Sequence, residues 1–580
     1  MSIFAGIYCR QENKIIPNQI CDELNKLVSR NADADRIVFK NDRNYLVKVG
    51  FGVFEEVGHF TDSNGGIALL AGEPLLSNSD EPNRNDNLVK IHQGLEHSSF
   101  EPLTNAQGVF CLVNSQKDRL TLVTDKLGLR PIYYWFNEDF VVFATALRIL
   151  ENLSIIPKKM SIRAVTEVAA LGYPLGNRTP YEDIFVLKSA ECFQFENQKA
   201  ASSKYWNWDK CKTSKESEEH LLNQLYQQFS QAVKRRLKKD KTTIAYLSGG
   251  LDSRCIVGAL VGLNAQIHTF NFARPNTQDQ ILGREFAKIA KVIHTEIPKE
   301  PGDIVPDYSA KMADAWEKSS HRKEFPAEHP NLIWSGEGGS VALGHVHLSP
   351  KMVELMRAGK IDETITEYTQ REHIYLSPKL LQNNIFSEVS TMLKNSILTE
   401  IAELNHQDAG RNFYIFLLQN DQRRKLYGHF ENIDLHKLEF HLPFFDSSVL
   451  ETIISIPLEM CLRHQFYVKW LYLFPQIVTS VSWQAYPGHE QCPLPIPDGL
   501  SYQWDDKYQN NEQKSKNRYL VRQGKEMLSS KDFPSNILSR KNIRLAVWVH
   551  QTGWRDYSYI IENANTFYRY WKICKGNYSL

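Results

Sequence analysis

The run Ser248-Gly-Gly-Leu-Asp-Ser253 has the residue types and spacing of an anion cradle. Gly249 and Gly250 let the backbone approach a ligand with no Cβ in the way. The Ser248 and Ser253 hydroxyls can donate hydrogen bonds. A helix starting near Leu251 aims free N–H groups and a positive dipole end at the same point. A carboxylate at Asp252 repels phosphate, so its presence implies a bridging Mg²⁺ that it holds. The run is not a Walker loop, which needs GxxxxGK[ST]. A Gly-Gly turn capped by Asp and Ser is the plainer reading. The flanks favour a nucleotide: Thr243-Ile-Ala-Tyr-Leu247 predicts a buried strand before the loop, and Arg254–Leu263 a helix after it.

The elements around this loop are legible from their periods. Glu219–Lys239 repeats Leu221, Leu222, Leu225, Phe229, Val233 and Leu237 every three or four positions and predicts a helix. After the loop the sequence predicts a strand at Gln266–Phe272, a helix at Gln278–Ala290 and a strand at Val292–Glu296. Strand–helix alternation with short links implies a parallel sheet with helices on its faces. Residues 305–470 read as mainly helical, and 480–580, rich in Trp, Tyr, Pro and Lys, show few clear periods. The chain before residue 200 differs. Short apolar runs such as Gly66–Gly72 and Leu120–Thr124, broken by turn signals, predict a layered sheet domain with a few helices such as Asn18–Val28. The polar stretch Lys210–Ser217 separates the halves, so domains are expected at residues 1–200 and 215–580.

A chain of 580 residues is too long for one core. Its 42% hydrophobic and 23% charged residues are ordinary for a globular protein. Lys plus Arg number 68 against 67 Asp plus Glu, and a net charge of +1 leaves no footprint for wrapping nucleic acid. No apolar run is long enough to span a bilayer, and the N-terminal segment lacks the basic flank of a signal peptide. The expectation is a cytoplasmic protein with neither a nucleic-acid nor a membrane partner. The nine cysteines are odd in number and show no CxxC spacing, which predicts reduced thiols.

Five further motifs join the loop. Asp125-Lys-Leu-Gly-Leu-Arg-Pro-Ile-Tyr-Tyr134 matches D-x-x-G-x-[RK]-P-L-Y-Y, and Phe143-Ala-Thr-Ala-Leu-Arg-Ile-Leu150 matches F-A-S-E-I-K-A-L. Ser335-Gly-Glu-Gly338 matches S-G-E-G, and Leu442-Pro-Phe-Phe-Asp446 matches V-P-F-L-D. Lys469 follows Pro457-Leu-Glu-Met-Cys-Leu-Arg463, which matches P-x-E-x-x-L-R. With these motifs the chain, to about residue 475, resembles the PP-loop ATP pyrophosphatases, and within them the asparagine synthetase-like enzymes. The resemblance implies an α+β, Ntn-hydrolase-like layered-sheet domain. An α/β PP-loop synthetase domain with a parallel sheet and a helical C-terminal part then follows. It implies ATP and Mg²⁺ as cofactors. The implied nucleotide site is Leu247, Ser248, Gly249, Gly250, Leu251, Asp252, Ser253, Phe272, Ser335 and Gly336, with Asp252 as metal ligand and Glu337 and Lys469 as catalytic residues.

Departures from that pattern shape the expected activity. Glutaminase members begin Met-Cys-Gly-Ile, and the Cys becomes an N-terminal nucleophile. Here the second residue is Ser2. The family's N-G-E, whose Asn helps form an oxyanion hole, reads Ala71-Gly72-Glu73, and loss of one such donor costs about 3 kcal/mol. The N-terminal domain is therefore expected not to hydrolyse glutamine. The family's S-G-E-G-[SA]-D-E reads Ser335-Gly-Glu-Gly-Gly-Ser340-Val341, with neutral Ser340 where an Asp is associated with Mg²⁺ and pyrophosphate. This weakens the metal site. His345 and His347 read as structural, since no Cys or Glu completes a zinc set. The proline-rich Tyr486–Pro497 predicts a rigid loop that walls the site or merely connects.

Glu337, flanked by glycines, is placed to orient or deprotonate an amine. Lys469, in an apolar run, either brings a cation to developing negative charge or lays its stem along apolar surface. The resemblance implies a carboxylate activated by ATP to an acyl-adenylate, with loss of pyrophosphate, and attack by an amine. Members without a glutaminase, the lasso-peptide cyclases and β-lactam synthetases, close a ring within one substrate. Ring closure in a peptide or natural-product substrate is the leading expectation, with a precursor peptide and a processing protein as implied partners. An intermolecular ligase acting on a sugar acid or metabolite, and a nucleotide-binding protein without catalysis, are the alternatives.

Overall fold

The computed structural model describes residues 2–580 apart from 12–13, 55, 77–82, 117, 197, 298–312, 315, 319, 321–323, 325–326, 378, 485–487 and 503–505, and describes 506–514 by backbone alone. Two six-stranded antiparallel sheets fill the N-terminal half. One runs Phe185–Val186, Tyr133–Phe136, Phe140–Ala144, Ser2–Cys9, Asn44–Gly50, Arg36–Lys40. The other runs Lys199–Lys204, Glu191–Glu196, Arg119–Thr124, Phe110–Gln116, Ile67–Gly72, His59–Thr61. Strand alternation sends Phe4, Leu46 and Phe143 into the space between the sheets, where they meet Leu69, Val113, Leu122 and Phe195. Ile3, Ala5 and Ile7 point the other way, into the core beneath helices Asn18–Leu27 and Leu147–Asn152. Helix Arg84–Glu96 covers the second sheet through Leu88, Ile91 and Leu95, packed on Ala68, Leu70 and Leu112. The result is helix on sheet on sheet on helix, the layered architecture expected.

The second half is built on a five-stranded sheet in the order Ile293–Glu296, Gln266–Asn271, Thr242–Tyr246, Leu332–Trp334, Glu439–His441. Every pairing in it is parallel. The first strand of the chain order lies in the middle. The next two add on one side and the last two on the other. Winding reverses between Thr242–Tyr246 and Leu332–Trp334, and such a reversal opens a crevice at the C-terminal ends of the two strands. Helix Glu218–Leu237 begins where predicted because the Ser217 side chain caps the N–H of His220. Glu218 and Glu219 in its first turn and Lys234, Arg235 and Arg236 in its last complement the helix dipole.

Residues 506–573 depart from the expectation of few periods. They form three helices, Asp506–Ser529, Arg540–Thr552 and Ser558–Ile573. The pattern was obscured because Arg540–Thr552 buries Ile543, Ala546 and Val547 yet exposes Leu545 and Trp548, so its apolar residues do not share one face. The last helix packs on Ile162–Leu171, and Tyr578–Ser579 pairs in parallel with Met160–Ser161. The two halves thus share a core. All nine cysteines are unpaired. No helix among the described residues is long and apolar enough to cross a membrane.

Charge ties the halves together at Asp434, whose side chain is fully buried. Arg30 bonds it through its backbone N–H at 2.9 Å and its side chain, and Arg148 Nη2 donates to it at 3.0 Å. Burial acts to raise the Asp434 pKa, but the hydrogen bonds from Arg30 and the charges of Arg148 and Arg30 outweigh it and hold it below the usual carboxylate value. A carboxyl with a lowered folded pKa stabilises above its unfolded pKa of about 3.9, and the benefit is lost as pH falls through the folded value. Asp434→Asn should therefore cost about 2 kcal/mol at pH 7, less than a fully buried pair because Arg30 is partly exposed. Urea unfolding at pH 7 and at pH 3 should show the deficit shrinking in acid.

Candidate active site

Both strands at the reversal run directly into glycine-rich loops. Ser248–Ser253 follows Thr242–Tyr246, and Ser335–Ser340 follows Leu332–Trp334. The first loop is held by its own side chains. The Ser248 N–H donates to Ser253 Oγ at 2.9 Å, the two hydroxyls lie 3.0 Å apart, and the Gly250 N–H donates to Ser248 Oγ at 3.2 Å. The Gly249 N–H donates to Asp279 Oδ1 at 3.0 Å. A Cβ on Gly249 would fall 2.7 Å from the Gln278 carbonyl oxygen, so only glycine fits. Helix Leu251–Gly262 starts at Gly250 with no side-chain cap, which leaves its first N–H groups for a ligand.

Arg254, fully buried, fastens the loop from behind. It donates to the carbonyls of Gly249 and Gly250 and to those of Val478, Val481 and Ser482, at 2.8–3.3 Å. Burial lowers its pKa only to about 10, so it stays charged.

The second loop packs edge-on against the first. A Cβ on Gly336 would lie 2.7 Å from the Asp252 carbonyl carbon and from the Ser253 nitrogen, and one on Gly339 would lie 2.5 Å from Asp252 Cγ. Gly338 turns the chain with φ +96°, and residues Gly339–Leu343 form a single π-helical turn. That turn delivers Ser340 to Asp252. Ser340 N–H donates to Oδ2 at 2.9 Å and Ser340 Oγ to Oδ1 at 3.0 Å. Tyr467 OH adds a third bond, to Oδ1 at 2.8 Å. Burial raises the Asp252 pKa against the pull of these donors.

The loops share a cavity of about 730 Å³, ample for a nucleotide. Leu247, Ser248, Asp252, Ser253, Phe272, Ser335, Gly336 and Glu337 line it, eight of the positions expected from sequence. Gly249, Gly250 and Leu251 shape the loop behind this lining. An aromatic wall stands opposite, with Tyr246 edge-on to Phe272 at 5.8 Å and to Phe440 at 5.6 Å. Glu337 opens into the cavity; its surroundings raise its pKa through burial first and the Asp252 charge second, with Lys425 opposing.

Lys469 does not join this site. It pairs with Glu218 at 2.7 Å on the outer surface. Helix Gln465–Leu471 turns about 100° per residue, so two residues separate opposite faces: Tyr467 reaches Asp252 and Lys469 points away. Arg274 and Lys425 also line the cavity, as do the side chains of His347 and His429. They lie far apart in sequence and outside any motif, and sequence reasoning missed them. Asp279, also missed, had a local signal: it stands in the first turn of a helix capped by Thr277. His345 is structural, stacked on Tyr414 at 4.3 Å and bonded to Arg411. His347 separates from it, lines the cavity and pairs with Glu372 at 3.5 Å. Tyr486 and Pro487 lie outside the described residues, and none of residues 488–497 lines the cavity. That segment instead braces Arg463 and His464, two consecutive residues at φ +59° and +64°. Arg463 Nε donates to the Gly488 carbonyl at 2.9 Å, and His464 Nδ1 meets His489 Nδ1 at 2.7 Å.

The fold is a paired-sheet N-terminal half followed by a parallel sheet with two glycine loops at its reversal. Residues 88–206 match a glutamine amidotransferase domain model, and residues 224–327 match an asparagine synthase model. These two matches, in this order, support an asparagine synthetase-like family for the chain. A putative glutamine-hydrolyzing asparagine synthetase 2 of Methanocaldococcus jannaschii is 24% identical over 263 residues, 43% of this chain and 48% of that protein. Glutamine-hydrolyzing asparagine synthetase 3 of Bacillus subtilis is 24% identical over 197 residues, 32% of this chain and 31% of that one. The amidase chyE of Penicillium rubens is 25% identical over 179 residues, 30% and 26% of the two chains. The matched stretches span about half or less of each relative.

Gly336→Ala should lower stability by about 2 kcal/mol, the cost of overpacking a closed interface, and weaken ATP binding. Lys469→Ala should change stability by less than about 1 kcal/mol, as for an exposed ion pair, and leave ATP binding unchanged. Chemical unfolding and calorimetric titration with ATP check both.

Proposed function

We propose that the chain is an ATP-dependent amide ligase that activates a substrate carboxylate, releasing pyrophosphate, and joins it to an amine not drawn from glutamine. The observation that carries this reading is the pair of glycine loops meeting in one cavity at the point where the parallel sheet reverses. ATP supplies the leaving group that makes the carboxylate reactive. The uncapped start of helix Leu251–Gly262 and the Ser248 and Ser253 hydroxyls are the donors for its phosphates. The aromatic wall of Tyr246, Phe272 and Phe440 excludes water from one side. Glu337, open to the cavity and with a raised pKa, accepts the proton of the attacking amine.

The N-terminal domain supports a reading without glutamine. At its Ala71–Gly72 corner the carbonyls are already taken by buried cations. Arg84 donates to Gly72, Leu70 and Glu56, and Lys48 to Leu70, Val57 and Gly58. Between that corner and the aromatic wall, Arg130 and Glu439 form a buried ion pair beside a cavity of only about 20 Å³. This packing favours an amine that enters with the carboxylate through the larger cavity. Ring closure within one substrate fits that route best, with a peptide or natural product as the substrate class.

Two outcomes test the reading. Pyrophosphate exchange into ATP should appear only with a carboxylate substrate present, and the purified chain should release no glutamate from glutamine. In single-turnover assays the amide-forming rate should fall on acidification, with a midpoint above the ordinary Glu value of about 4.3 because the charged carboxylate is the working form. Glu337→Gln should abolish that acid limb and slow the step by about 10²-fold or more.

A further inference from the structure

We infer that Asp252 is a positioning residue, with three of its four lone pairs taken by Ser340 and Tyr467, and that this site takes nucleotide phosphate without relying on a carboxylate-bound Mg²⁺. The inference rests on the nucleotide reading above and deepens it.

Mg²⁺ takes carboxylate oxygens at about 2.0–2.1 Å in near-octahedral geometry, and those oxygens must present free lone pairs. Asp252 Oδ1 already accepts from Ser340 Oγ at 3.0 Å and from Tyr467 OH at 2.8 Å, which uses both of its lone pairs. Oδ2 accepts from the Ser340 N–H at 2.9 Å. Gly336 and Gly339 press against the same side chain so closely that a Cβ at either would overlap it. Tyr467 is itself fully buried and Ser340 is fixed by the π-helical turn, so neither donor can swing aside at low cost.

The other carboxylates do not make up the loss. Asp279 Oδ1 accepts from the Gly249 N–H at 3.0 Å and from Gln484 Nε2 at 3.1 Å. Glu337 is a single open carboxylate. Among the described residues no group of three His, Cys, Asp or Glu side chains is arranged to hold a metal ion. With three of its four lone pairs taken, Asp252 offers an ion one position on Oδ2, short of the metal-ligand role expected from the sequence. What Asp252 does instead is join three pieces of chain: the loop after Tyr246, the loop after Trp334 and helix Gln465–Leu471. Arg274 and Lys425 line the same cavity, Lys425 paired with Asp421 at 2.9 Å. Mg²⁺ would arrive with the nucleotide, which carries its own oxygen ligands.

The measurement is ATP affinity by calorimetry in excess Mg²⁺ and in EDTA, together with Mn²⁺ binding to the nucleotide-free protein by electron paramagnetic resonance. For the wild-type chain the expected result is less than a threefold difference in ATP affinity between the two conditions, and no Mn²⁺ site tighter than millimolar. Ser340→Asp places a second carboxylate against Asp252. It should create one Mn²⁺ site and a tenfold or larger preference for ATP with Mg²⁺. The inference is overturned if wild-type affinity for ATP falls tenfold or more in EDTA, or if the wild-type chain binds one Mn²⁺ that Asp252→Asn removes. The wild-type measurements decide the matter even if a variant does not fold. Failure to bind ATP in either condition would instead overturn the nucleotide reading, and the Mn²⁺ arm would still test Asp252.

Discussion

One buried guanidinium sets the shape of the site. Arg254 takes five carbonyls, two from the loop after the central strand and three from Val478, Val481 and Ser482. Losing it would take a donor from each, and a buried carbonyl left unpaired costs about 1–3 kcal/mol. The loop therefore cannot relax toward the cavity, and its hydroxyls and the helix start stay aimed inward. The second glycine loop then has a rigid surface to pack on, which is why Gly336 and Gly339 tolerate no side chain. Asp446, in the Leu442–Asp446 motif, does similar work on the opposite side. It accepts from Arg235 Nη1 at 2.9 Å and Arg236 Nη1 at 2.7 Å and so fixes the end of helix Glu218–Leu237.

Much of the fold was readable from local pattern. The strand, loop and helix around Ser248–Ser253 fell within a few residues of their observed bounds because each carried its own signal. These were a short buried apolar run, two adjacent glycines and a helix with a free start. Helix Gln278–Ala290 was placed at its observed bounds, and the structure shows the Thr277 side chain capping it. The C-terminal helices were not readable, because apolar residues such as Leu545 and Trp548 also stand on the exposed face and blur the period. The last of them packs on Ile162–Leu171, some 400 residues earlier, and no local pattern encodes that contact.

Within the site, motifs located the loops better than they assigned roles. The Asp125–Tyr134 match marks a turn-builder: Asp125 Oδ1 accepts the N–H groups of Leu127, Gly128 and Leu129, and Gly128 sits at φ +71°. Lys469 stood at the expected distance from its motif, but helical geometry turned it outward and brought Tyr467 to Asp252 instead. Arg274 and Lys425 had no motif at all. Their place on the cavity wall follows from sheet order and helix packing, which residue spacing does not report.

The two left-handed residues before Tyr467 give the site a mechanical link to the protein surface. Arg463 and His464 hold a conformation that costs of order 1–3 kcal/mol each. The Gly488–Pro497 segment helps to maintain it, through the Gly488 carbonyl and His489. His464 stacks on Tyr467 with ring centroids 5.9 Å apart and planes 10° apart, and Tyr467 holds Asp252. Surface segment and glycine loop are thus linked through two side chains, His464 and Tyr467, along a tensioned linkage. A displacement of that segment would be felt at Asp252 as a slackened grip, with no contact between the segment and the ligand.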